Sequence, residues 1–309
     1  MTPPALDRRR FLGRLPAVAF GAGLLPHAAR APGAPRHAGG RAYDLVVSGG
    51  RVIDPANGID AVRDVGITAG RVAAVLERID PAEAGRVVEA TGKLVLPGLI
   101  DAHVHVYDGV AQVGVQAEAV GLAKGVTTLI DAGSAGATTF GGFRAYVVEP
   151  SRTRVLALLN ISRPGMTVPN ELADLAWVDP EAAVRTVEAH RDVIVGLKVR
   201  MLSGIPGGGD VEVLRRTREA ADAAGVPIVM HIGGQTTPLP RLLELLRPGD
   251  VVTHALRARG SILDDDGRVF PAIREARARG IRLDVGHGRG NLDFVTAAVV
   301  ARRGQRRRR

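Results

Sequence analysis

From Leu94 onward, seven short apolar runs alternate with Ala-, Arg- and Glu-rich stretches of helical period, and no other feature limits the possible folds of this chain as tightly. Short apolar runs bounded by turn residues read as buried strands. Strands separated by helices lie parallel, because each crossover returns the chain to the same end of the sheet. The runs are LVLPGLIDAHVHV, TTLIDAG, RVLALLNIS, VIVGLKVRM, PIVMHIG, VVTHAL and IRLDVGHG. Between them lie VEVLRRTREAADAAG, TPLPRLLELLRPG and PAIREARARG, which close on Gly or Pro-Gly as helix ends do. The expected fold class is α/β, an incomplete TIM-type (β/α)8 barrel of about seven strands, since closure takes eight. The final stretch, AAVVARRGQRRRR, has no strand pattern, so the chain reads as ending before an eighth strand.

Residues 42–96 have a different texture. YDLVVSGGRVIDP, AVRDVGITAGRVAAVLERI and GRVVEATGKLVLPG alternate Val and Ile with polar residues around Gly-Gly and Asn-Gly turn signals. This pattern predicts a small antiparallel β unit, a β-sandwich portion preceding the barrel at 97–300. Aromatic residues make up only 3% of the chain, so both cores must be built from Val, Leu, Ile and Ala.

The net charge of +9 points toward nucleic acid only if it is spread over a folded face. Residues 1–41 hold seven Arg against one Asp, and residues 302–309 hold six Arg, so the body between these ends is slightly acidic. A nucleic-acid partner is therefore not expected. The leader, Asp7-Arg8-Arg9-Arg10-Phe11-Leu12-Gly13 followed by LPAVAFGAGLL and Ala29-Arg30-Ala31, resembles a twin-arginine export signal. Its apolar run is too short for a stable membrane span. The expectation is a periplasmic or otherwise exported protein with 1–41 as signal and linker and 301–309 as an Arg-rich tail. The absence of cysteine is compatible with export in folded form.

Chemistry-bearing residues fall at the C-terminal ends of the expected strands, where barrels place their active sites. His103 and His105 lie two apart at the end of the first strand, so both face one side. Lys198, His231 and His254 end the fourth, fifth and sixth strands. A Lys inside an apolar strand is costly to bury charged, so it must be neutral, paired or modified. Asn160, Arg200 and His287 are also placed to face the mouth and contact a substrate carboxylate or carbonyl; the alternative for each is structural, with Arg200 paired to an acid such as Asp131 or Asp284. The Gly-rich SGIPGGGD at 203–210 lacks the Lys-Ser/Thr of a phosphate loop and reads as a mobile loop at the site.

PGLIDAHVHVYDG, GLKVRM, MHIGG and THAL resemble the metal-binding strands of the amidohydrolase superfamily, in its dihydroorotase-like and deacetylase-like branch. GGRVIDPANGIDAVRDVGITAGRVAAV resembles the first half of that family's β-sandwich, and the likeness runs over about residues 43–295. The resemblance implies two divalent metals, zinc being the expected one. It implies that His103 and His105 hold the first, His231 and His254 the second, and that Lys198 bridges both as a carboxylated lysine. It implies hydroxide attack on a small-molecule amide or ester, with a cyclic amide as the alternative substrate. The family's last ligand and general base is an Asp at the end of the eighth strand, which this chain does not reach; Asp293 falls on a helix start. A catalytically incompetent fragment is therefore the third reading.

Overall fold

In a computed structural model the chain is described over residues 40–202, 205, 209–258, 262–264, 266–288 and 290–305. The leader and the last four arginines lie outside these residues, as does most of the 203–210 loop. The chain divides into two compact units, Met1–Pro97 and Gly98–Arg309.

The first unit is a five-stranded sheet. β1 (Tyr43–Asp54), β2 (Ile59–Thr68) and β3 (Arg71–Leu76) form an antiparallel meander. Its first turn is built by Asp54, whose side chain accepts from Ala56 N at 3.1 Å and Asn57 Nδ2 at 2.6 Å, while Gly58 takes φ +67°. The second turn puts Ala69 and Gly70 at φ +51° and +73°, the mirror-image geometry that matches strand twist. β4 (Ala84–Glu89) and β5 (Leu94–Val95) then run parallel to β1, making the sheet mixed rather than wholly antiparallel. The reason is local: Asp80 caps a 3-10 turn, Pro81–Glu83, that returns the chain alongside β1 instead of reversing it onto β3.

The second unit carries seven parallel strands in chain order: β6 (Leu99–Val104), β7 (Val126–Asp131), β8 (Arg154–Asn160), β9 (Ile194–Arg200), β10 (Ile228–His231), β11 (Val251–Thr253) and β12 (Arg282–Leu283). The sheet is curled into a half-barrel. Thr253 Oγ1, at the end of β11, lies 2.9 Å from His103 Nδ1 at the end of β6, although four strands, β7 to β10, stand between them in the sheet order. Among the described residues no ladder joins β6 to β12.

Leu129, Leu159, Leu197, Met230 and Val252 project from the strands into one core with Val187, Leu214, Leu242 and Ile273 from the helices. The helix Asp210–Ala224 buries Val213, Leu214, Thr217, Ala220, Ala221 and Ala224, the three-and-four spacing of one face. It stops at Gly225, whose φ of +67° supplies a left-handed cap. The helix Pro180–Ala189 starts with Asp179 accepting from Ala182 N and with Pro in its first turn. After β12 the chain forms the helix Phe294–Gln305 rather than a strand, capped by Asp293 through Thr296 N at 2.7 Å. Among the described residues no helix is long and apolar enough to cross a membrane.

Candidate functional site

Parallel strands deliver their last residues to one end of the sheet, and curling turns those ends toward one another. His103, His254 and His231 form a contiguous row, with ring centroids 4.7 Å apart for the first pair and 4.2 Å for the second. His105 stands 5.8 Å from His103, ring to ring, and Lys198 Nζ lies 3.5 Å from His103 Nε2. All five residues singled out as metal ligands thus meet at one end of the half-barrel.

Three of the imidazoles are held by their Nδ1 atoms, and the partners dictate the tautomer. Ser134 Oγ gives its only proton to Asp131 Oδ2 at 2.8 Å, so toward His105 Nδ1, 2.9 Å away, it accepts. Gly286 O can only accept, and His254 Nδ1 donates to it at 2.8 Å. Thr253 Oγ1 donates to Asp284 Oδ2 at 2.6 Å, which leaves His103 Nδ1 to donate to that carboxylate at 3.2 Å and to the Thr253 oxygen. In each of these three rings the proton sits on Nδ1 and Nε2 is unprotonated, the His103 Nε2 facing Lys198 Nζ as an acceptor.

The rings are held neutral. Burial, with Lys198 next in effect, lowers the pKa of His103 and pushes His105 and His231 well below their ordinary value. Burial and then His103 bring His254 down to about 3. Lys198 is wholly buried, and burial followed by the nearby Arg200 drops its pKa to about 7. Burial alone would raise Asp284, but hydrogen bonds from His103 and Thr253 outweigh it and bring its pKa to about 2.

Close backbone approach makes this arrangement possible. A Cβ on Gly133, at φ +90°, would come within 2.5 Å of Lys198 Cβ. One on Gly286, at φ +51°, would sit 2.7 Å from His254 Nδ1. His254 itself takes φ +66°, a conformation costly for a residue with a Cβ and held here by its bond to Gly286.

The three expected substrate contacts are placed differently. Asn160 is buried and its amide is used within the protein: Nδ2 donates to Gly133 O at 3.1 Å and Oδ1 accepts from Ser162 N at 3.0 Å. Arg200 pairs with the wholly buried Glu171, its Nε 3.2 Å from Oε1, and not with Asp131 or Asp284. The angles of that pair satisfy no hydrogen bond, so both Glu171 oxygens and Arg200 Nε and Nη1 are buried without such a partner. Asp131 instead accepts from Val106 N, Gly133 N, Ser134 N and Ser134 Oγ. His287 is exposed beyond β12. Sequence reasoning passed over the hydroxyls of Ser134 and Thr253 and the role of Asp284 toward His103. The available signal was a polar residue ending an apolar strand, in IDAGS, VVTH and RLDVG.

As placed, no three His, Asp or Glu side chains among the described residues form a ready coordination shell. The donor chemistry nevertheless fits a divalent metal. Neutral imidazoles with Nε2 unprotonated and Nδ1 tied to a carboxylate, carbonyl or hydroxyl are the form that ligates, and a buried amine that gives up its proton near pH 7 sits among them.

The amidohydrolase family profile matches residues 94–239. A deacetylase of Agrobacterium fabrum is 37% identical over 240 residues, covering 76% of this chain and 59% of that protein. A deacetylase of Enterococcus faecalis is 30% identical over 267 residues, covering 85% of this chain and 71% of its own length. Among solved structures, a dihydroorotase matches with a TM-score of 0.75 at 33% identity, covering 84% of this chain and 70% of its own. An adenine deaminase matches with a TM-score of 0.78 at 30% identity, covering 85% and 70%. The chain thus spans about three-fifths of the length of the Agrobacterium relative.

Proposed function

This chain belongs to the amidohydrolase family, and from that premise we propose that it is a metal-dependent hydrolase cleaving the amide or ester bond of an acyclic N-acyl or O-acyl compound, as a deacetylase does. The observation that carries the reading is the set of three imidazoles with unprotonated Nε2 atoms and fixed Nδ1 protons beside a buried amine whose pKa is about 7.

His103, His105, His231 and His254 would hold divalent metal, with Lys198 joining them as a carbamate. A neutral lysine adds carbon dioxide by forming an N–C bond and releasing one proton, which converts a poor ligand into an anionic oxygen donor. Bound metal supplies Lewis acidity toward a carbonyl oxygen and generates a nucleophile from water at neutral pH. The protein's own groups do the positioning. Asp284 Oδ2, ionised at neutral pH, keeps the His103 proton on Nδ1 and fixes that ring's plane. Ser134, itself oriented by Asp131, does the same for His105, and the Gly286 carbonyl does so for His254. Burial of Lys198 and the four rings keeps bulk water from competing for their donor atoms.

The test is metal content together with turnover. Zinc stoichiometry by elemental analysis, acetate release from N-acetylamino acids and O-acetyl hydroxy acids, and ring opening of dihydroorotate are measured on the full chain. Zinc bound and acetate released support the proposal. Ring opening without acetate release would favour the cyclic-amide alternative, for which the similarity to a dihydroorotase structure speaks. A chain that neither retains zinc nor hydrolyses either class contradicts both.

A further inference from the structure

The second unit has a cleft of about 500 Å³ that none of the strand-end groups described above lines. One wall is the start of the helix Phe140–Phe143 with the loop before it, and the other is the helix Pro180–Ala189. Their facing residues include Ala137, Gly141 and Ala182, which have little or no side chain to fill the gap. A Cβ on Gly141 would meet no atom within 4 Å, so the space beside it is open. Phe140 and His190, with ring centroids 4.9 Å apart, add an aromatic lining.

The polar groups around this space are mostly donors. Arg163 is pinned by its main chain: its N–H donates to Trp177 O at 2.9 Å, and its carbonyl accepts from Thr138 N and Oγ1 at 2.9 and 2.7 Å. Its side chain is exposed, and among the described residues the guanidinium has no hydrogen-bond or ion-pair partner. Arg185 meets Glu181 at 3.5 Å, but that pair is 67% and 87% exposed, so solvent screens it and most of the Arg185 charge is available. His190 Nδ1 lies 3.3 Å from Arg144 Nη1. A guanidinium only donates, so Nδ1 accepts and the imidazole proton sits on Nε2, a further donor. The one carboxylate in the lining, Asp179, already accepts from Ala182 N at 2.9 Å as a helix cap. The hydroxyl protons of Thr138 and Thr186 go to backbone carbonyls, which leaves only their oxygens for a ligand.

Two guanidiniums and an imidazole N–H around an apolar-floored cleft, against one engaged carboxylate, make a complement for an anion with an apolar body. We propose that this cleft is a second binding site, separate from the strand-end centre, for a small organic anion whose phosphate or carboxylate head is held by Arg163 and Arg185 and whose body lies along the Phe140–His190 lining. The site does not depend on the hydrolase reading, since none of its residues belongs to the metal-ligand set.

The test is binding to the full-length chain with a chelator present, so that no metal competes for the acidic group. Phenyl phosphate, benzoate and phenol are titrated by calorimetry and through the fluorescence of Trp177, the single tryptophan, whose carbonyl holds Arg163 N. At least one of the two acids is expected to bind about tenfold or more tightly than phenol, with affinity falling as salt is added. Arg163→Gln combined with Arg185→Gln should bring the acids down to the level of phenol. Gly141→Leu keeps every charge and suits a helix better than Gly, and should weaken binding severalfold by filling the cleft. Circular dichroism checks that each variant is folded. Tighter binding of phenyl phosphate marks the head as phosphate and tighter binding of benzoate marks it as carboxylate; either result sustains the site. Acids that bind the wild type no better than phenol overturn the proposal without recourse to any variant, as does undiminished affinity in the folded double variant or in folded Gly141→Leu.

Discussion

Replacing Lys198 by Met tests the energetic premise of the site. Met is close to Lys in length and fills the same buried space without a charge. In the unfolded chain Lys198 is protonated at pH 7, whereas in the fold burial brings its pKa from 10.5 to about 7. At ~1.4 kcal/mol per pH unit, that depression makes Lys198 cost the metal-free fold about 4 kcal/mol at pH 7, and relaxation around the amine lowers the figure toward ~2. The sign follows from proton counting. Between pH 7 and 10.5 the unfolded state holds more protons on this group than the folded state, so wild-type stability rises with pH across that window. Below the folded value the full cost is present; above the unfolded value it is gone.

The assay is urea denaturation in the presence of a chelator, followed through Trp177, the single tryptophan and a reporter of the second unit. Lys198→Met is expected to be more stable than wild type by about 2–4 kcal/mol at pH 7, with the gap closing toward pH 10. Added zinc should raise the wild-type midpoint, because ligand that binds only the folded state stabilises it, and should raise the variant's far less. A Met variant less stable than wild type at pH 7, or a gap of the same size at pH 7 and 10, would refute the idea that desolvation depresses the Lys198 pKa to about 7.

Asp284→Ala removes the acceptor that fixes the His103 ring and should weaken zinc binding by ~10–100-fold, read by competition with a chromophoric chelator; unchanged affinity would take Asp284 out of the site. Gly133→Ala forces a Cβ against Lys198 at a left-handed φ and should lower stability by about 1–3 kcal/mol together with zinc content, so an unshifted melting curve would contradict the close approach. The export reading rests on residues outside those described. Arg8→Lys with Arg9→Lys should stop transport across the inner membrane, and undiminished periplasmic recovery of that double variant argues against a twin-arginine signal.

Strand positions and the direction of the second unit's sheet were legible because they depend on local periodicity. Each of the seven apolar runs meets one strand of the second unit's sheet, from Leu99–Val104 to Arg282–Leu283, and the first run also carries β5, Leu94–Val95, of the first unit's sheet. The ligand candidates were legible for the same reason, since a polar residue closing an apolar strand must lie at the sheet's end whatever surrounds it. What local pattern does not contain is which neighbours meet. The parallel course of β4 beside β1 turns on one capped 3-10 turn, Pro81–Glu83, and β-branched alternation reads the same for either direction.

The same limit explains Arg200 and Asn160. Both stand where a strand-end rule places them, at the ends of β9 and β8, yet their partners come from segments that no periodicity links to them: Glu171 from the loop after β8, and Gly133 from the loop after β7. His103 meets Asp284 across 181 residues of chain and Thr253 across 150. Those separations are closed only by the curl of the sheet, which is the sum of small twists at every ladder and has no signature at any one residue. The tautomers follow from these distant contacts, and with them the atom each imidazole presents. Residue type and strand position therefore predict where donors gather, while the assignment of Nε2 as the presented atom becomes available only once Ser134, Gly286 and Asp284 are seen on the other nitrogen.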